Sequence, residues 1–158
     1  MSREYVIALR DSLIKKKKVL EEIKRICDMQ SDLLSKDKLD MERFDSLMDE
    51  RDICLQKIDK LDEGFELVYE RVKGELQNNK SAYSAEIKEM QQLITDITDL
   101  GTSINAKDER NKTAVQNAFI KERRGIAENR RSVNVAVSYY KSMSGMGIDD
   151  SRRMDKKK

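Results

Sequence analysis

The sequence has no proline, no histidine and no tryptophan, and only two cysteines and six glycines in 158 residues. Without proline, no residue in the chain forces a helix to break. Without histidine there is no Ser-His-Asp or Cys-His catalysis and no imidazole metal ligand. Cys27 and Cys54 are too few for a zinc site or a disulfide scaffold, and they fit a reducing compartment. No apolar run is long enough to span a membrane. The start, Met1-Ser2-Arg3-Glu4-Tyr5, carries no signal peptide, so a cytoplasmic location is expected. No pair of glycines has phosphate-loop spacing. Acid pairs such as Asp149-Asp150 occur, but no pocket is in view to separate their pKa values. These absences point away from an enzyme, a metal and a cofactor.

Charge is abundant. Lys and Arg number 32, Asp and Glu 30, and charged residues make up 39% of the chain against 38% hydrophobic. Charge far above the usual ~25% marks either disorder or long solvated helices. Disorder expects proline and a large net charge, whereas the net charge here is +2. Long helices are the better reading, and the length suits one domain.

Periodicity places them. Val6, Leu13, Leu20, Cys27 and Leu34 recur every seven residues, with Leu9 and Ile23 in the interleaved row and Lys16 and Gln30 as polar gaps. Tyr5, Val19, Ile26 and Leu33 widen the stripe to the width a bundle helix needs. The run Lys15–Lys18 reads as a solvated face. Residues 35–38 form a short polar break, and Asp37 or Asp40 can cap the second helix. In that helix, Phe44, Ile58, Phe65 and Val72 share one row, with Arg51 in it. Leu47, Cys54, Leu61 and Val68 share the other. Gly64 and Gly74 weaken this helix by ~1 kcal/mol each relative to Ala without ending the pattern. A turn near Asp37 offsets the two cysteines by ~10 Å along the axis. A disulfide needs Cα atoms within ~7 Å, so both are expected as core thiols.

After a break at 77–80, Tyr83, Met90, Ile97 and Ile104 form a third row. Phe119, Ile126, Val133 and Tyr140 restart it out of phase, a stutter through Asn111, Val115 and Phe119. Between the halves lies a polar waist. There Gly101, Asp108 and Asn111 take apolar positions. Asp108 and Asn111 either specify register in the core or sit where the chain leaves it. At 1.5 Å per residue the helices span about 50, 55 and 90 Å, so the third outruns its support. It either bends near Gly101 to Gly125 or projects, and an exposed apolar stripe marks an interaction site. The row from Phe119 to Tyr140 is thus bundle core or a partner-binding face. The pair Tyr139-Tyr140 can serve as an anchor or close the bundle end.

The expected architecture is all-α: an antiparallel helical hairpin plus a long third helix, a three-helix coiled-coil-like bundle. It forms one domain over 1–143, with helices about 2–34, 39–76 and 81–143 and a disordered tail over 144–158. Acidic residues are in excess over 37–80 and basic ones over 123–158. Acids interrupt the basic tail and no aromatic interleaving accompanies it, so no nucleic-acid partner is expected.

Several stretches resemble the FlgN type of flagellar export chaperone. They are Asp40-Met41-Glu42-Arg43-Phe44-Asp45-Ser46-Leu47, then Asp49-Glu50-Arg51 with Leu55 and Ile58 after it, and Ile104-Asn105-Ala106-Lys107-Asp108-Glu109-Arg110-Asn111. A last helix ending at Tyr139-Tyr140 is similar too, and the likeness covers about residues 4–143. The resemblance implies a bacterial cytoplasmic type III export chaperone. Such a protein would bind the C-terminal amphipathic region of flagellar hook-associated proteins, prevent their premature assembly and deliver them to the export-gate cytoplasmic domain. It implies a C-terminal cargo site, where a cargo helix would lie beside Val115, Phe119, Ile126, Val133 and Val137. It also implies a gate-contacting tyrosine, Tyr139 or Tyr140. The alternative is a self-associating structural coiled-coil protein. Monomer and homodimer are both open.

Overall fold

The computed structural model describes residues 2–122 and 135–141. Among these residues the secondary structure is helical, without strands. Helix α1 runs over Ser2–Leu34, α2 over Met41–Asn78 and α3 over Ser84–Glu122. A further helical segment covers residues 135–141. The chain is all-α, a hairpin plus a third long helix. Continuation of the third helix between 123 and 134, and the tail from 142 onward, lie outside the described residues.

The boundaries arise from local chemistry. α1 ends as the Ser35 amide donates to Ser31 O at 3.1 Å and the Ser35 hydroxyl donates to Asp32 O at 2.7 Å. Of the two candidate caps, Asp40 is the one used. Its Oδ1 accepts the Arg43 amide at 3.1 Å, satisfying one of the donors a helix start leaves unpaired. α2 passes through Gly64 and Gly74 unbroken, and a Cβ at either would meet nothing within 4 Å. The turn at 79–83 is closed by Ala82 and Tyr83 amides donating to Asn79 O and Lys80 O.

The helices build two compact units. Unit 1 takes 2–22 from α1 and Ile53–Leu100. Its core joins Val6, Leu9, Leu13, Val72, Tyr83, Met90 and Leu93, flanked by the stacked Phe65–Tyr69 pair. In this unit α1 and α3 run parallel, since Arg3 pairs with Glu86, Arg10 with Glu89 and Lys17 with Asp96. The lysine run is more than a solvated face. Lys16 is buried and its Nζ donates to Asp62 of α2 at 2.8 Å, while Lys17 bonds Asp96 of α3 at 3.0 Å. Lys15 and Lys18 alone stay exposed. The Lys16 stem replaces a core side chain in its row and its ammonium reaches the rim.

Unit 2, among described residues, takes Ile23–Asp52, 101–122 and 135–141. Here Phe44, Met48, Val115, Ala136 and Tyr140 are buried together, with Leu33, Leu34, Leu39, Met41, Val137 and Tyr139 packed around them. Cys27 and Cys54 are both buried, with no disulfide between them.

Candidate functional site

The site lies in unit 2 and has two parts, a polar centre and an apolar seat. The polar centre starts from charged residues at apolar positions of two heptad rows. Arg51, in the Phe44–Ile58 row of α2, is 1% exposed. Its Nη1 and Nη2 donate to Asp108 Oδ1 at 2.6 Å and Oδ2 at 2.7 Å. This bidentate pairing is the geometry that makes an Arg–carboxylate contact strong. Arg51 Nη1 also donates to Cys27 Sγ of α1 at 3.0 Å, and the Cys27 thiol donates to Asp108 at 3.5 Å. Asn111, one turn further along α3, gives its Nδ2 hydrogen to Cys27 O at 3.2 Å and accepts the Ser31 hydroxyl at 2.6 Å. Lys107 pairs with Asp28 at the edge. The polar waist of the third helix is therefore inside the core, fastened to α1 and α2, rather than at a point where the chain projects.

This burial sets the electrostatics. It pushes the Cys27 thiol up to about 12, with Arg51 pulling the other way. Cys27 is thus protonated and unreactive near neutral pH. For Arg51, burial disfavours the charge, but the bonds to Asp108 and the neighbouring Cys27 outweigh it. The guanidinium is held above its ordinary value.

The apolar seat is walled by Leu33 and Leu34 from α1, Phe44 and Met48 from α2, and Val115 from α3. Residues 135–141 lie in it. Ala136 is 0% and Tyr140 2% exposed. The Tyr140 ring meets Phe44 edge-on, with centroids 6.0 Å apart, and Tyr139 at 5.6 Å. Both are the edge-to-face arrangements that aromatic quadrupoles favour. Tyr139 is half-buried and its hydroxyl donates to Met48 O at 3.4 Å, near the limit of a hydrogen bond. The Tyr140 hydroxyl is buried and has no hydrogen-bond partner among the described residues, and the same holds for Arg51 Nε. Burial raises the pKa of both phenols, with Arg51 opposing it. On the α2 surface beside the seat, burial first and then Asp49 raise Asp45 and Asp52.

The residues expected at the cargo site divide accordingly. Val115 and Val137 are brought together in the seat, Val115 fully buried. Phe119 lies on α3, its side chain outside what is described, and Ile126 and Val133 fall outside the described residues altogether. Tyr139 and Tyr140 both pack in the seat. Sequence reasoning missed the seat's other walls, Phe44 and Met48, as site residues. It also missed the pairing of Arg51 with Asp108. One clue was present: opposite charges at apolar positions of two different helices.

A family model described as FlgN protein matches residues 1–141. The chain belongs to the FlgN family, the flagellar export chaperones. Comparison with curated proteins and with solved structures gives no significant match. Among the described residues no helix is long and apolar enough to cross a membrane.

Proposed function

We propose that this chain is a cytoplasmic chaperone for hook-associated proteins of the flagellum. It binds their C-terminal amphipathic region, blocks premature assembly and hands them to the cytoplasmic domain of the export gate. Family membership supports the class of function. One structural observation supports the site: three long helices build an apolar seat in unit 2 that holds a two-turn helix, residues 135–141. A surface that accepts one amphipathic helix has the chemistry of helix-in-groove recognition. Val115 and Val137 belong to the cargo site, joined by Phe119, Ile126 and Val133. Tyr139 is the better placed of the two gate tyrosines in this state, because Tyr140 is almost fully covered.

The test is titration of the purified chain with the C-terminal region of a hook-associated protein. Wild type is expected to bind one to one. Phe119→Ser with Ile126→Ser is expected to abolish binding while the helical circular dichroism stays unchanged. Normal binding by a stably folded double variant overturns the site. The self-association reading is favoured by one feature. Ile53 and Leu67, two heptads apart on α2, are 53% and 72% exposed. Sedimentation decides it: a dimer that Leu67→Glu dissociates, with no cargo binding, would replace the chaperone reading.

A further inference from the structure

Unit 1 carries a groove that its own core leaves open. A cavity of about 320 Å³ lies between α1 and α2. Leu9, Leu61, Phe65 and Val68 supply its apolar lining, and all but Leu9 are only half-buried. Gly64 forms part of the wall, and a Cβ there would meet nothing within 4 Å. A foreign backbone can therefore approach α2 closely at this point. Ile53, Lys57, Lys60, Gly64, Leu67 and Arg71 recur at alternating spacings of four and three, which places them in one stripe of α2. All six are exposed. Ile53 and Leu67 stand about 21 Å apart along the axis, the length of roughly four helical turns.

The charge around this groove has one dominant sign. Lys15 of α1 lines the cavity, and Lys57, Lys60 and Arg71 share the stripe with Gly64. The neighbouring Lys16 and Lys17 are paired with Asp62 and Asp96. Lys15, Lys57 and Lys60 have no carboxylate partner among the described residues. Arg71 lies over the Tyr5 ring of α1, 5.9 Å from its centroid. Asp11 supplies the acid in the lining, and Arg10 pairs with it. The acids of α2 at this level, Asp59, Glu63, Glu66 and Glu70, form a separate exposed stripe, and none of them lines the cavity.

We propose that this groove is a second docking surface, separate from the cargo seat, for an amphipathic partner helix with acidic flanks. The partner's apolar ridge enters the cavity and covers Ile53 and Leu67, the helix-in-groove mode of recognition. Its carboxylates meet Lys15, Lys57, Lys60 and Arg71, where complementary charge selects the partner. The same charges oppose a second copy of the chain. A two-fold axis that sets Ile53 on Leu67 of the copy passes at residue 60, so Lys60 faces its own counterpart.

The experiment titrates the full chain with two labelled amphipathic helical peptides by fluorescence anisotropy. Both carry the same leucine ridge, one with glutamate flanks and the other with lysine flanks. The glutamate peptide is expected to bind and the lysine peptide is not. Lys57→Glu with Lys60→Glu is expected to weaken the glutamate peptide roughly tenfold. Gly64→Leu, which fills the cavity from within, is expected to abolish its binding. These positions are exposed and helical, so the helical circular dichroism should stay unchanged. Phe119→Ser with Ile126→Ser is expected to bind the glutamate peptide as wild type does, so failure of the cargo site leaves this surface standing. No binding of the glutamate peptide up to about 1 mM overturns the proposal, and so does equal binding by wild type and both groove variants. Binding to phosphatidylcholine–phosphatidylglycerol vesicles that Lys57→Glu with Lys60→Glu removes, without peptide binding, assigns the stripe to a lipid surface instead. A dimer in sedimentation that Leu67→Glu dissociates assigns it to a second copy. Either of these results also overturns the proposal.

Discussion

The two units use the same three helices in different ways. Unit 1 buries an apolar cluster from Val6 to Leu93 and keeps most of its ion pairs at the rim, where Arg3, Arg10 and Lys17 reach across to α3. Unit 2 buries its own apolar cluster around Phe44 and also puts a bidentate Arg51–Asp108 pair, a thiol and an amide into its interior. Apolar surfaces tolerate sliding, because one aliphatic contact resembles the next. A forked guanidinium has one good position against a carboxylate. The comparison teaches that unit 1 supplies cohesion and unit 2 supplies register. Register is what a seat for a foreign helix requires.

The most direct test of this division is at the polar centre. Arg51→Ala takes the guanidinium from the partly buried Asp108, leaving it only the long Cys27 contact, and is expected to cost up to about 3 kcal/mol. Denaturant unfolding measures the loss, and native-state hydrogen exchange should place it in unit 2. Arg51→Met with Asp108→Leu is expected to recover that loss, since well-packed apolar replacements of buried pairs are near neutral or stabilising. If the double variant also keeps 135–141 protected from exchange, the pair does not set register and the contrast between the units collapses.

Next comes the apolar side. Leu9→Ala in unit 1 should cost about 2–5 kcal/mol through lost burial and a residual cavity. Its effect on the docking of Tyr140 should be nil. A smaller change of opposite sign comes from Gly64→Ala. The glycine is helical with open space around it, so stability should rise by roughly 0.5–1 kcal/mol. A fall in the unfolding midpoint would show that the exposed α2 surface there contacts something.

The smallest effect is the response to acid, which should have opposite signs in the two units. Asp96 in unit 1 is lowered by the hydrogen bond from Lys17, then by that from Gln92. Its contribution is complete above the ordinary carboxylate value of 3.8 and is lost as pH falls through its lowered folded value. Asp45 and Asp52 in unit 2 are raised by burial and then by Asp49. The folded state therefore takes up these protons first, and unit 2 gains stability as pH falls toward 3.8. Site-resolved opening free energies from pH 7 down to about 2 check the sign. Equal slopes in the two units would remove the electrostatic half of the comparison.

Much of the fold was legible because a heptad pattern maps directly onto one helix face. Val6, Leu13, Leu20 and Cys27 form one row in the sequence and all four are buried, as are Leu9 and Ile23 of the interleaved row. The polar gaps were legible only as gaps. Lys16, Arg51 and Asn111 stand in core rows, and their burial depended on partners 46, 57 and 80 positions away in sequence. The two candidate caps were equal on paper, and the bond to the Arg43 amide selected Asp40. Of the residues expected at the site from pattern and resemblance, Val115, Val137 and the tyrosine pair pack in one cluster, whereas Phe44 and Met48 of that cluster read only as core.

By itself, then, the sequence determined that the chain is helical and which face of each helix is apolar, and it put the breaks at 35–38 and 77–80, although α2 runs on through Gln77 and Asn78 and the second turn falls at 79–83. These are properties of neighbours in the chain, set by periodicity, capping and the absence of proline. Tertiary structure decided which polar residues meet, that Asp108 lies inside and clasped by Arg51, and that Tyr140 fills a seat with its hydroxyl unpaired. Those facts depend on groups brought together from distant parts of the chain, where burial decides whether a polar group finds a partner.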